Sequence, residues 1–492
     1  MQDSKAIVIG TGVGGLAIAI RLALKGYQVD VFEKNSYPGG KLSAFEKDGF
    51  RFDAGPSLFT QPQNIEELFT LAGESLDQYF SYQSVPIANK YFYENGKQVN
   101  AYTNAEDFAK EMKLQLNEDP KVVLKYLQQS KKLYENIGLL FLEHSLHRVK
   151  TWFHSRVFKA LSTVKLSYLF QSLHQYNSSK FSSPEAVQLF NRFATYNGSS
   201  PYKTPAMLSL IPHLEQNEGT FYPKGGMISI TNALYQLALK KGVKFHFDSP
   251  VQRIIHDNGN ASGVEVNEQI YSAKIVVSNA DVYFTYKNLL ANPSMAKKVL
   301  KQERSSSAVI FYWGIKKKFP QLELHNIFFS KEYKSEFEDI FKMGKLTADP
   351  TVYINITSKM QANQSPEGKE NWFVMVNAPA NTGQNWEELK NVLRGNILLK
   401  LSRMLGEDIS ELIETEHTLD PIMIEQQTAS YMGSLYGTSS NSKLAAFLRH
   451  ANFTTAIKGL YFCGGSVHPG GGIPLCLKSA KIVSDLIVKA DA

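Results

Sequence analysis

Two glycine-rich stretches at opposite ends of the chain hold residues whose spacing could bind a dinucleotide. Near the start, Gly10, Gly12, Val13, Gly14 and Gly15 sit in "IGTGVGG", a G-x-G-x-x-G pattern. Glu33 follows 23 residues after Gly10. Glycines here permit a tight turn and close approach of backbone to a pyrophosphate. The N-terminus of the following helix favours phosphate, and an acid at the end of the next strand accepts hydrogen bonds from ribose hydroxyls. Near the end, "FCGGSVHPGGGIPLC" (462–476) packs five glycines and two prolines into an apolar run. That density suits a loop pressed against a large flat ligand, where side chains would occupy the ligand's own space.

These residues need a framework to place them. Ala6–Ile9 reads as a short buried strand, Leu16–Leu24 as an apolar helix ending near Gly26, and Val29–Phe32 as a second strand. At the other end, Leu460–Cys463 reads as a strand and Leu475–Ile487 as a helix. Between them, residues 220–254 predict a glycine turn, an amphipathic helix and strands at Val243–Phe247 and Val251–Ile255; "KIVVSNADV" (274–282) adds a buried strand. The nucleotide-binding unit is therefore assembled from separated pieces, with the two chain ends side by side.

The bulk composition narrows the class. A chain of 492 residues, 43% hydrophobic and 20% charged, predicts two or three globular domains. Cys463 and Cys476, the two cysteines, are too few for a disulfide framework or a zinc site, so no metal is expected and a reducing cytoplasm fits. The motif begins so early that no signal peptide is expected, and the longest apolar run, 6–20, is too short to span a bilayer. The net charge of +7 is uneven: 121–180 has ten Lys or Arg against two Glu, a local +8, leaving −1 for the rest. Within it, apolar residues at 149, 152, 153, 157, 160, 161, 164 and 168 share one helical face, which only Arg156 interrupts. A basic, aromatic-rich helix of this kind lies in a membrane interface, or else packs on a core with a solvated basic face. No nucleic-acid readout motif accompanies the basic run, so no nucleic acid is expected.

A nicotinamide domain would continue with a regular helix and third strand. Here a second glycine loop and a basic residue, Gly39-Gly40-Lys41, come next, then "FDAGPSLF". This resembles the FAD-containing superfamily of amine oxidases, protoporphyrinogen oxidases and carotenoid desaturases. The resemblance implies that Lys41 approaches the cofactor phosphate or ribose and that Gly55-Pro56-Ser57-Leu58 passes the flavin. It implies that Gly465 meets the pyrophosphate or ribitol, and that the loop through Gly472 and Ile473 meets the ring, its helix N-terminus facing the flavin. Val251 would meet the adenine and Asn279 lie beside the cofactor. His468 reads either as a base or as a loop histidine bonded to its neighbours.

Taken together, "GGK", "FDAGPS", "YPKGGM", "VVSNAD" and "HPGGGIP" resemble the bacterial phytoene-desaturase-type carotenoid desaturases across nearly the whole chain. "FATYNGSSPYKTPAMLSLIPHLE" (193–215) is most similar to the 1-hydroxycarotenoid 3,4-desaturases. The implied fold is α/β: a Rossmann-like FAD domain in segments 1–85, 215–290 and 415–492, and a mixed-sheet substrate domain with a helical membrane cap in 86–214 and 291–414. The mixed sheet should include 307–315 and 371–379. The implied reaction removes two hydrogens from a carotenoid end to form the 3,4 double bond, hydride leaving toward the flavin and a proton following. Glu215 leads as a polar or basic group, His213 second, and oxygen or a membrane quinone would reoxidise the flavin. The protein would sit in the cytoplasm against the inner face of the cell membrane. Phytoene desaturation, cis–trans isomerisation of a carotenoid and prenyl binding without catalysis, as in the GDP-dissociation inhibitors, are the competing readings, with amine oxidation fainter.

Overall fold

The computed structural model describes residues 4–153, 157, 167–443 and 449–490. Its nucleotide-binding part is a five-stranded parallel sheet in the spatial order Leu460–Phe462, Ile275–Ser278, Lys5–Ile9, Gln28–Phe32, Lys244–His246. The two chain ends meet here, as the sequence predicts, because Leu460–Phe462 pairs with the strand that also pairs with Lys5–Ile9. Strands buried on both faces need apolar side chains on both, and "AIVI" and "IVV" supply them. Helix Val13–Leu24 packs between helices Ile228–Lys240 and Ile473–Leu486, closing one face over Leu16, Ile18, Ile20 and Leu22.

Two helices begin earlier than predicted. The first starts at Val13, taking Gly14 and Gly15 into its first turn, and the last at Ile473, with Pro474 in its first turn. Neither glycine nor proline is penalised there as it is in a helix interior, since first-turn N–H groups lack intrahelical partners anyway.

The second part is a seven-stranded mixed sheet ordered Ile413–Leu419, Ser307–Ile315, Glu370–Ala378, Val352–Asn355, His325–Phe328, Ile87–Phe92, Gln98–Tyr102. Ile87–Phe92 and His325–Phe328 run parallel, while the other neighbours are antiparallel. Helix Trp386–Leu405 covers one face, burying Trp313 and Trp372 completely. Helices Ala105–Leu116, Pro120–Leu133 and Pro184–Asn191 form a second, aromatic-rich cluster around Phe108, Tyr126 and Phe190. Most of the basic amphipathic segment 149–170 lies outside the described residues. Among the described residues no helix is long and apolar enough to cross a membrane.

Candidate functional site

One cavity of about 640 Å³ runs between the two parts of the fold. Gly10, Gly12, Val13, Gly14, Glu33, Gly40, Lys41, Ser57, Leu58, Val251, Asn279, Gly465, Gly472 and Ile473 all line it, although they come from widely separated stretches of chain. Gly15 lies beneath the turn instead: a Cβ there would fall 2.0 Å from the Gly10 carbonyl oxygen. The second glycine loop closes against the first, with Gly39 N–H donating to the Thr11 carbonyl at 3.0 Å. Helices Val13–Leu24 and Ile473–Leu486 both start at a glycine N-cap, Gly12 and Gly472, without a side-chain cap. Both caps line the cavity, so the partial positive charge of two helix N-termini meets there. At Gly472, φ is +107° and nothing stands within 4 Å of where a Cβ would be. Space is kept open at that point.

Glu33 is 5% exposed, yet its carboxylate is held in place. Oε2 accepts from the Thr11 N–H at 2.8 Å and hydroxyl at 2.7 Å, and Oε1 from the Asn35 N–H at 3.0 Å. A carboxylate oxygen accepts more than one hydrogen bond, so capacity for ribose hydroxyls remains. Lys41 donates through Nζ to the Leu435 carbonyl at 2.9 Å, and burial lowers it to about 8. The strap 434–437, whose carbonyls receive Lys41, was not legible in the sequence. Arg449, also unanticipated, lines the cavity and donates to the carbonyls of Tyr436 (2.9 Å) and Thr438 (2.8 Å); burial lowers it to about 10. These residues fit a flavin dinucleotide: an anion-binding cradle, a ribose acceptor and an open glycine wall share one cavity.

Beyond the cradle the walls become apolar, with Ile137, Phe141, Leu169, Met207, Leu210 and Leu214 among them. One buried charged pair interrupts this. Arg192 Nη2 donates to both Glu215 oxygens, at 3.2 and 3.1 Å, and Asn89 Nδ2 donates to Oε2 at 3.2 Å. Glu215 is fully buried and burial pushes its carboxyl up against the pull of Arg192; Arg192 and Asn89 line the cavity and Glu215 stands behind them. Ser57 Oγ contacts Tyr353 Oη at 2.8 Å, and Tyr353 Oη contacts His325 Nδ1 at 2.7 Å. Burial lowers His325 to about 3, which leaves that chain uncharged at neutral pH.

The histidines stand elsewhere. His213 does not line the cavity; its ring packs on Tyr134 and Nε2 lies 3.4 Å from Glu218. His468 is fully buried, with Nε2 3.0 Å from the His144 carbonyl, and burial lowers it to about 4. A neutral ring bonded to backbone matches the loop-histidine reading.

A parallel sheet, a glycine cradle with its acid and an apolar chamber beyond it define a flavin-dependent oxidoreductase. The family profile described as flavin containing amine oxidoreductase matches residues 13–488. The 1-hydroxycarotenoid 3,4-desaturase of Flavobacterium sp. (strain P99-3) is 52% identical over 488 residues, covering 99% of this chain and 100% of that protein. The 4,4'-diapolycopene oxygenase of Methylomonas sp. is 34% identical over 491 residues, 99% of this chain and 98% of that one. Among solved structures, an oxidoreductase from Methanosarcina mazei superposes with a TM-score of 0.66 at 17% identity, over 98% of this chain and 100% of that one. The chain belongs to the flavin containing amine oxidoreductases and, within them, to the carotenoid desaturases. Its cofactor is FAD.

Proposed function

We propose that the protein is a carotenoid 3,4-desaturase of carotenoid biosynthesis, taking two hydrogens from an acyclic or monocyclic carotenoid end that carries a 1-hydroxyl. The observation that carries this reading is the cavity itself, lined both by the glycine cradle and by the apolar side chains of Ile137, Phe141, Met207, Leu210 and Leu214, which suit a polyene. The relative at 52% identity, spanning both chains, supports the substrate. FAD, when bound, supplies the two-electron oxidising capacity. The chain's own residues bind and orient. In this reading Gly10, Gly12, Val13, Gly14 and the helix behind them take the pyrophosphate, with Gly15 shaping the turn, and Glu33 takes the ribose. Val251 meets the adenine, and Asn279, Gly40, Lys41 and Gly465 flank the cofactor. Ser57, Leu58, Gly472 and Ile473 face the flavin ring. The apolar walls exclude water and hold the polyene end, whose conjugation spreads the charge left when hydride departs. The proton then lost is acidic enough for water, so Glu215 serves as partner of Arg192 and His213 as a structural group. Segments 1–85, 215–290 and 415–492 would form the flavin lobe, 86–214 and 291–414 the substrate lobe.

The test is product mass. FAD-loaded protein in vesicles under air, given a 1-hydroxylated carotenoid or phytoene, should remove two hydrogens from the hydroxylated substrate alone. Loss from phytoene instead would replace this reading with an earlier step, and unchanged mass with an altered isomer ratio would replace it with isomerisation. A quinone that raises turnover without oxygen would identify the physiological acceptor class.

We further propose peripheral attachment to the inner face of the membrane. Trp152, Phe153 and Phe170 are 50%, 81% and 62% exposed, and Lys443 Nζ lies 5.0 Å from the centre of the Phe170 ring. Leu169 and Lys443 line the cavity, so its edge reaches the neighbourhood of Phe170. Exposed aromatics beside cations suit a headgroup boundary. Phe153→Glu with Phe170→Glu should cut co-sedimentation with anionic vesicles about 10-fold or more, each ring being worth about 1.5 kcal/mol or more on burial. Unchanged co-sedimentation would remove this rim from the attachment surface.

A further inference from the structure

In an apolar chamber the polar atoms left without partners mark where a ligand's polar group belongs. Arg192 opens the short helical turn Arg192–Asn197, directly before the stretch 193–215 whose wording sets this chain beside the hydroxycarotenoid enzymes, and Tyr196 lies within that stretch. Its guanidinium carbon lies 5.4 Å from the centre of the Tyr91 ring and 5.3 Å from that of Tyr196. Nη2 is engaged by Glu215, but Nε is buried with no hydrogen-bond partner. The Tyr196 hydroxyl is likewise buried without a partner, and both residues line the cavity. Buried polar groups are seldom left unpaired, and each one left so costs stability.

We propose that Arg192 and Tyr196 form a subsite for a neutral hydroxyl, and that this subsite selects the hydroxylated carotenoid end. A hydroxyl both accepts and donates. Its oxygen accepts from Arg192 Nε and its hydrogen is donated to the Tyr196 oxygen, so the two orphaned atoms are satisfied together. Glu215 cancels the charge of Arg192, so the pair offers a directed donor rather than a net positive charge. That favours an alcohol over a carboxylate or phosphate. The identity of the ligand rests on the reading above: with a 1-hydroxyl and reaction at carbons 3 and 4, the oxygen lies about 4 Å from the nearer reacting carbon. Binding the hydroxyl therefore also fixes which bond is presented for oxidation. Glu215 and Asn89 act through Arg192 and are positioning residues.

The experiment uses FAD-loaded full-length protein and two carotenoids that differ only in the 1-hydroxyl. Affinity is read from quenching of protein fluorescence and turnover from product mass. The wild type should bind the hydroxylated compound about 10- to 100-fold more tightly, as two buried hydrogen bonds allow. Tyr196→Phe should reduce that ratio about 5- to 10-fold while affinity for the compound without hydroxyl stays the same. Arg192→Leu with Glu215→Leu, which leaves no lone buried charge, should bring the ratio to within about 2-fold. Equal affinities in the wild type, or equal losses for both compounds in the variants, would overturn the subsite. Should the double variant not fold, Tyr196→Phe alone decides. Failure of the desaturase reading is separate: product mass would not change while hydroxyl-dependent binding persisted.

Discussion

Gly15→Ala protein is expected to come off purification colourless, with FAD affinity reduced at least 100-fold. The added Cβ would lie 2.0 Å from the Gly10 carbonyl oxygen and 3.1 Å from both the Gly10 carbonyl carbon and Asn279 Nδ2. Side-chain tips can swing away, but this oxygen belongs to the backbone. Gly10 also donates to the Phe32 carbonyl at 2.8 Å, which ties the turn to the second strand. Relieving the clash must either separate the helix from the strand or break that tie. Either movement displaces the helix N-terminus from the place where two phosphates would meet it. A shift of about 1 Å in such a cradle is enough to cost about 3 kcal/mol, the 100-fold loss stated above. Gly395→Ala is the control. It sits exposed inside helix Trp386–Leu405 with nothing within 4 Å of a Cβ, so the same change should stabilise by up to about 1 kcal/mol. The absorbance of bound flavin and urea unfolding of both variants check the pair. A yellow Gly15→Ala protein would show that the helix can move without losing its ligand.

The contrast between these two glycines explains how much the sequence discloses. Local relations were legible. The turn, its helix and Glu33 lie within one continuous stretch, and the bonds that hold the Glu33 carboxylate are made close by in sequence: Thr11 lies 22 residues away and Asn35 two. The last glycine loop and its helix are local in the same way. Partners chosen across the fold were not legible. Lys41 finds the carbonyl of Leu435, 394 residues on, and Ser57 finds Tyr353, 296 residues on. No periodicity encodes such pairs, since they depend on how two sheets are set against each other. Glu215 is the intermediate case. An acid in an apolar run invites suspicion, yet its partner Arg192 lies 23 residues away and Asn89 lies 126 away. An arginine inside "LFNRFA" was the available signal, because charged residues are almost never buried unless paired.

That pairing makes the second large effect calculable in sign and order. Glu215→Ala should lower unfolding stability by about 3–5 kcal/mol, because it leaves the Arg192 guanidinium buried with its counter-charge removed. Arg192 side chain is 10% exposed and that of Glu215 0%, so water reaches neither well enough to replace the partner. Glu215→Gln keeps the shape and an acceptor oxygen while removing the charge, and should fall between Glu215→Ala and the wild type. Arg192→Leu with Glu215→Leu should recover most of the loss, since removing both charges also removes both desolvation costs. Urea unfolding of the four proteins at pH 7 measures the coupling directly. A double variant about as stable as the wild type means that folding alone does not require the pair. Its presence beside the cavity would then have to be accounted for by what it binds. A double variant as unstable as Glu215→Ala would mean instead that the stacking of Arg192 on Tyr91, Phe193 and Tyr196 holds this wall of the chamber together.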